Sequence, residues 1–239
     1  FPVRYHPDDV PLPDNFLPQH PFDNGEMLVR DEKLLPHPRM PGDVRSMRAD
    51  YYRYVSFLDA EIGRVLAALD ASPAGSNTIV VVTSDSGVAL GSHGLLGKQN
   101  LYEHSLRVPF IIRGPGIPAG VVTPALAYLH DVLPTVGLVS GVDGPAGHEG
   151  NAVDVASQGT AQGRSELVFA YRDVQRAIQV GGWKLIYYPN VGVTQLFDLT
   201  SDPLERNDRA TEPEQAARVT ELRERMMVLL RDEGDTGAR

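Results

Sequence analysis

The sequence predicts an α/β fold followed by a small α+β subdomain, and three observations carry that expectation. Residues 44–69 place Val55, Leu58, Ile62, Val65, Leu66 and Leu69 at the 3, 4 spacing of one helical face. A short β-branched run, Ile79 to Val82, follows after one turn, with the length and content of a buried strand. Beyond a Gly-, Ala- and Ser-rich stretch at 141–163, the texture changes to short alternating strands closed by an amphipathic segment at 212–231.

Taken in order, residues 1–42 carry no sustained period, and prolines recur from Pro2 to Pro41, which forbids a helix of useful length. An irregular opening this long is expected to pack on something, one candidate being protein N-terminal to Phe1. The helix at 44–69 has Asp43 as its candidate cap and stops at Ser72-Pro73-Ala74-Gly75. A helix, a short loop and a strand predict an αβ unit and hence a parallel sheet. A second strand is expected at Val108–Arg113, closed by Gly114-Pro115-Gly116. Asp131 to Val139 reads as a short helix with Asp131 as cap and Pro134 in its first turn. Strands are expected at Leu167–Tyr171, Arg176–Val180, Lys184–Tyr188 and Gln195–Leu199, with Gly181-Gly182 as a hairpin turn. Thr211 and Glu214 have capping-box spacing ahead of the last helix. The expected domains are 1–155 and 156–239.

The bulk properties narrow the classes. The chain has 239 residues, 42% hydrophobic content and a formal charge of −9, which argues against general nucleic-acid affinity. No apolar run approaches membrane-spanning length, and no apolar segment typical of a signal peptide opens the chain. The sequence has no cysteine, so disulfides, thiolate metal sites and a Cys nucleophile are excluded within it. Oligomeric state is left open.

The chemistry concentrates between the two strands at 79–82 and 108–113. The first ends in Thr83-Ser84-Asp85-Ser86-Gly87, which is turn chemistry. Asp85 therefore falls past the carboxyl end of a strand, where open α/β sheets place their ligands. A glycine-rich loop then presents His93 and Lys98, followed by Tyr102, Glu103 and His104.

These residues carry a family resemblance. Thr83-Ser84-Asp85-Ser86-Gly87, Gly91-Ser92-His93-Gly94, Gly97-Lys98, Tyr102-Glu103 and Arg107-Val108-Pro109 resemble, in order and spacing, the signature of the type I sulfatases of the alkaline-phosphatase superfamily. The helix carrying Tyr51-Tyr52 and Ser56 to Arg64 is similar to the one before that strand. Trp183 to Ile186, Leu196 to Leu199 and Asp202-Pro203-x-Glu205 resemble the family's C-terminal subdomain. The resemblance implies the C-terminal portion of an alkaline-phosphatase-like mixed sheet with flanking helices, together with the small α+β subdomain. It also implies hydrolysis of carbohydrate or aryl sulfates by a formylglycine nucleophile with Ca²⁺. The family's C/S-x-P-x-R nucleophile motif has no counterpart in residues 1–239, nor do its first pair of metal-binding aspartates, so this chain alone is expected to be inactive and its partner to be the missing N-terminal half. A sulfated small molecule or saccharide is the implied substrate, and a periplasmic or secreted location is the one the family suggests.

Carried residue by residue, the resemblance makes Asp85 a cation ligand. Ser86 departs from the family's Asn or His, and its shorter, neutral hydroxyl binds directly, binds through water or only shapes the turn. Lys98 is expected to neutralise charge on the sulfate as the S–O bond breaks. Two readings of His93 stand: it hydrogen-bonds the leaving oxygen, or it braces the loop. His104 is assigned to the substrate mouth, with packing beside Tyr102 as the other reading. Arg172, near Tyr171, Gln175 and Arg176, either contacts an anionic sugar or belongs to a solvated edge. Arg107 is expected to anchor structure by pairing with Glu103. Two alternatives accompany this reading: a phosphatase or phosphonate hydrolase of the same superfamily, and a degenerate non-catalytic binding protein.

Overall fold

The computed structural model describes residues 4–142, 144, 147–155 and 163–235. Its elements are α1 (Pro41–Asp70), β1 (Val80–Thr83), α2 (Glu103–Leu106), β2 (Phe110–Arg113), α3 (Val132–Ser140), β3 (Glu166–Tyr171), β4 (Gln175–Val180), β5 (Trp183–Tyr188), β6 (Val193–Asp198) and α4 (Ala216–Asp232). The α/β class holds, with the later strands and α4 forming the small α+β part. Two compact units interleave along the chain. One is Phe1–Ala60 with Ser86–Arg107 and Val168–Arg239, and the other is Glu61–Asp85 with Val108–Leu167. The expected cut at 155/156 is sequential, and residues 156–162 lie outside the described residues.

In the first unit the sheet order is β3-β4-β5-β6. The β4–β5 and β5–β6 pairs are antiparallel, with Val180 opposite Trp183 and Trp183 opposite Asp198. Gly181 and Gly182 both take positive φ (+53° and +86°), the geometry that lets a two-residue turn follow the strand twist. Side chains alternate across the sheet, as a period of two requires. Ile178, Leu185 and Leu196 pack with Leu222, Met226 and Leu230 of α4. Ala177, Ile186, Tyr188 and Phe197 pack on the other face with Ala89, Leu95, Leu101 and Tyr102. Burial of each such large apolar side chain contributes about 1.5–3 kcal/mol, so the sheet is held from both sides.

Residues 4–40 are irregular, with short 3₁₀ turns at Pro7–Asp9 and Glu32–Leu34. Val10, Asn15, His20, Glu26, Glu32 and Arg39 are buried, and the His93 N–H donates to Asn15 O (2.9 Å). The opening thus packs on the chain's own 89–102 loop.

Helix α1 begins at Pro41, where the fixed φ of proline suits a first helical position, and Asp43 lies inside its first turn. Only Val44 and Ala49 of α1 are buried, while Tyr54 (62%), Val55, Leu58 and Val65 (67%) are exposed. In the second unit β1 pairs with β2 antiparallel, Val80 opposite Arg113, which corrects the parallel expectation. The connection from 84 to 109 holds a loop and the four-residue α2, so the chain turns back instead of crossing over. Thr211 and Glu214 form no capping box, because a 3₁₀ turn at Pro213–Gln215 precedes α4 and its N-cap has no side-chain hydrogen bond.

Helix α3 is N-capped by Asp131, but the carboxylate does not cap it. It accepts instead from Tyr128 N (2.7 Å), Asn151 N (2.7 Å) and Arg164 (Nη2 2.7 Å, Nε 3.0 Å). Burial alone would raise this carboxyl, but Arg164 and the two amides hold it below its usual range. No helix among the described residues is long and apolar enough to cross a membrane.

Candidate functional site

The segment from Ser86 to Arg107 in the first unit carries most of the candidate residues. Its strand-like ladder, Ala89 N to Gly97 O (3.0 Å) and Gly91 N to Leu95 O (2.8 Å), makes a tight loop. At the tip His93 and Gly94 both have left-handed φ (+54° and +75°). A Cβ on Gly94 would sit 2.3 Å from the Gln19 carbonyl carbon, so the close approach of residues 19–20 requires glycine there.

His93 is buried, its ring stacked on Tyr102 at 3.9 Å and 8°. Its Nε2 donates to Glu205 O (2.9 Å), and its Nδ1 has no hydrogen-bond partner among the described residues. Burial lowers its pKa to about 4, against the raising effect of the Glu205 carbonyl. A neutral imidazole tied between a tyrosine ring and a main-chain carbonyl has the geometry of a brace. His20 belongs to the same cluster, donating through Nδ1 to Phe22 O (2.7 Å) with Nε2 3.0 Å from the Tyr102 hydroxyl. That hydroxyl donates to Gln195 Oε1 (2.7 Å), and burial pushes its pKa up.

His104 lies 5.6 Å from the Tyr102 ring and 5.5 Å from the His93 ring, centroid to centroid. Both of its ring nitrogens are buried without a hydrogen-bond partner among the described residues. Burial holds it well below its ordinary pKa, with His93 and Lys184 acting in the same direction. With Asn15, Arg48, Ser92, Glu103 and Arg107, His104 lines an open cleft of about 480 Å³ within this unit.

Behind the cleft is an ion cluster built from motifs whose chemistry the sequence reading left unassigned. Lys184 of β5 is 0% exposed and pairs with Glu103 (3.0 Å) and Glu205 (2.8 Å). The second Glu205 oxygen accepts the Glu103 N–H (2.7 Å). Burial raises the Glu205 carboxyl, and Lys184 pulls it back down. The partner of Glu103 is therefore Lys184 and not Arg107, whose side chain is exposed at the cleft. The available signal was a lysine inside the apolar strand Trp183-Lys184-Leu185-Ile186, on the parity of the loop-facing side.

Lys98 is exposed on the loop, and its N–H donates to Gln99 Oε1 (3.1 Å). Ser86 is half-buried at the start of the same segment. Asp85 ends the neighbouring segment of the other unit, exposed after β1. Arg172 sits in the β3–β4 turn with φ +46°. Its guanidinium pairs with Glu26 (3.1 Å) and lies over the Tyr171 ring, so it is already matched by a carboxylate of the chain itself. Among the described residues no group of three or more His, Cys, Asp or Glu side chains comes together as a metal cage. One carboxylate and one hydroxyl, Asp85 and Ser86, are a partial set for a hard cation that takes six to eight oxygens.

The loop after β1 begins where open α/β sheets place their ligands, which gives a location and not a chemistry. The sequence matches the sulfatase family over residues 6–142 and the N-sulphoglucosamine sulphohydrolase C-terminal family over residues 91–232. The chain belongs to the sulfatase family, among the type I enzymes of the alkaline-phosphatase superfamily. It is 34% identical over 188 residues to a choline-sulfatase of Rhizobium meliloti, covering 72% of this chain and 34% of that protein. It superposes on a 2-O GAG sulfatase, BT1596, with a TM-score of 0.81 and 25% identity, covering 94% of this chain and 52% of that one. A third similar protein, BT4656, was solved in complex with its substrate D-glucosamine-2-N,6-O-disulfate (TM-score 0.74, 27% identity, 88% and 46% covered). The chain thus spans about a third of the curated relative's length and about half of the solved structures.

Proposed function

We propose that this chain is the C-terminal part of a sulfate-ester hydrolase acting on sulfated saccharides or aryl sulfates. The observation that carries the reading is the ordered series from Thr83 to Pro109 in a chain of the sulfatase family. The relative solved with a disulfated glucosamine supports a saccharide substrate. In this reading Lys98 offsets negative charge on the sulfate oxygens as the ester bond breaks. Asp85 gives a carboxylate, and Ser86 a weaker hydroxyl, to a Ca²⁺ whose other ligands come from family sequence outside residues 1–239. That cation, when bound, supplies charge stabilisation at the sulfate. His93 orients the loop through Tyr102 and Glu205, and His104 borders the cleft.

The exposed apolar positions of α1 and the two-stranded β1–β2 sheet of the described residues support a further segment packed against them. A two-stranded sheet is marginal by itself, and an amphipathic stripe is normally covered. We infer that the family's N-terminal half completes both. The test is turnover: residues 1–239 alone are expected to give no multiple turnover of an aryl sulfate with Ca²⁺, while a polypeptide of family length that contains them turns over. Robust turnover by 1–239 alone, above contaminant level, overturns the division of the site between two halves. The cation assignment is tested by calorimetric titration with Ca²⁺ of the family-length protein and its Ser86→Asn variant. Tighter binding by the variant is expected, and equal affinity removes Ser86 from the site.

A further inference from the structure

The loop carrying Lys98 is held from the opposite side by a carboxylate in the irregular opening. Glu32 is 4% exposed, and its Oε1 accepts the Gly97 N–H (2.8 Å) and the Leu96 N–H (3.0 Å). Its Oε2 lies 3.1 Å from Leu96 N and takes the Arg39 guanidinium at 2.6 Å. Arg39 is itself buried and also donates to Leu35 O and Gly94 O. Next to Glu32, Asp31 accepts from Gln99 Nε2 (2.9 Å), and Gln99 Oε1 accepts the Lys98 N–H (3.1 Å). Gln175 of β4 donates to Gln99 O (3.1 Å).

Every main-chain donor from residue 96 to 98 therefore ends on a side chain, and two of them end on one buried carboxylate. Leu96 and Gly97 are buried, so their N–H groups need acceptors from the protein, and the one they share is a carboxylate whose burial costs several kcal/mol before its partners compensate. Hydrogen bonds from amides to a charged acceptor are the stronger kind, so the peptides leading into Lys98 are fixed more firmly than a neutral acceptor would fix them.

We propose that Glu32, braced by Arg39, is a positioning residue for Lys98. It fixes the peptide from which the Lys98 side chain projects, so only the flexible stem is left to order when the ammonium meets the sulfate. This rests on the sulfatase reading of Lys98, and the test separates the two. Amide exchange is measured in residues 1–239 and aryl-sulfate kinetics in the family-length polypeptide. The variants are Glu32→Gln, the Glu32→Gln/Arg39→Met pair that removes both buried charges, and Lys98→Met.

Loss of the charged acceptor in Glu32→Gln is expected to speed exchange at Leu96 and Gly97 about tenfold or more while Ile178, Leu185 and Leu196 keep theirs. The kcat is expected to fall about 10–100-fold with little change in KM, the scale of a misplaced catalytic group. The double variant is expected to regain thermal stability and keep the kcat defect, which a purely structural role would not give. Lys98→Met is expected to lower kcat and leave exchange at Leu96 and Gly97 unchanged. Unchanged exchange at those amides in both Glu32 variants, or wild-type kcat in the double variant, overturns the proposal. Full activity in Lys98→Met, with exchange altered in Glu32→Gln, overturns the role of Lys98 while leaving the clamp as an architectural fact.

Discussion

Helices α4 and α1 carry the same kind of apolar stripe and meet different fates. Leu222, Met226 and Leu230 of α4 lie against Ile178, Leu185 and Leu196 of the sheet. Tyr54, Val55, Leu58 and Val65 of α1 are exposed. The spacing of apolar residues predicts a helix and a face, but not what covers that face. The contrast is chemical as well. The sheet that α4 covers also buries the Lys184 ion cluster on its other side, whereas no charged residue of α1 is buried.

The sharpest way to break the well-packed side is Lys184→Met. It leaves the buried Glu205 and the half-buried Glu103 without their cation and is expected to destabilise by about 3–5 kcal/mol, read by urea unfolding. Replacing Glu205 with Gln in the same background should recover part of that loss. Next comes Met226→Ala, which opens a cavity under α4 and is expected to cost about 2–5 kcal/mol by the same measurement.

Acid tests the imidazole cluster. His93 has a folded pKa of about 4 against an ordinary 6.5, so between these values the unfolded chain binds more protons. Stability attributable to this group is present above pH 6.5, falls as pH drops through that window and is fully lost below about 4. At one pKa unit per 1.36 kcal/mol the loss is about 3 kcal/mol. His20 and His104 are displaced in the same direction, and Glu205 opposes them, since burial raises its carboxyl. In a Glu205→Gln background, where that opposing carboxyl is gone, a stability curve flat from pH 7 to 4.5 would contradict the buried, neutral state of these rings. The smallest effect belongs to α1: Val65→Ser in residues 1–239 is expected to change stability by less than about 0.5 kcal/mol. The same substitution in the family-length protein is expected to cost more under the proposal that the N-terminal half covers the stripe.

Much of the small α+β part was legible in the sequence. Period-two alternation and Gly181-Gly182 located β3 to β6 within one or two residues. The place of Asp85 in the fold was legible, since turn chemistry after an apolar run puts it just past the end of β1. Direction of pairing was not legible, because nothing local to Val80–Thr83 says whether its neighbour runs parallel. The opening segment misled for a related reason. Proline density correctly excludes helix, but the burial of His20, Glu32 and Arg39 comes from packing on a loop more than fifty residues away in sequence. Arg107 was paired with Glu103 by proximity in sequence, and tertiary packing supplied Lys184 from β5 instead.

The central claim is that Lys98 serves sulfate-ester cleavage, and the most direct measurement is the hydrolysis of phenyl sulfate beside phenyl phosphate by the family-length polypeptide and its Lys98→Met variant. The expected result is a preference for the sulfate and a loss of about 100-fold or more in kcat for the variant, the scale seen when one preorganised charge-stabilising group is removed. A preference for the phosphate, or a variant as fast as the parent on phenyl sulfate, would contradict it.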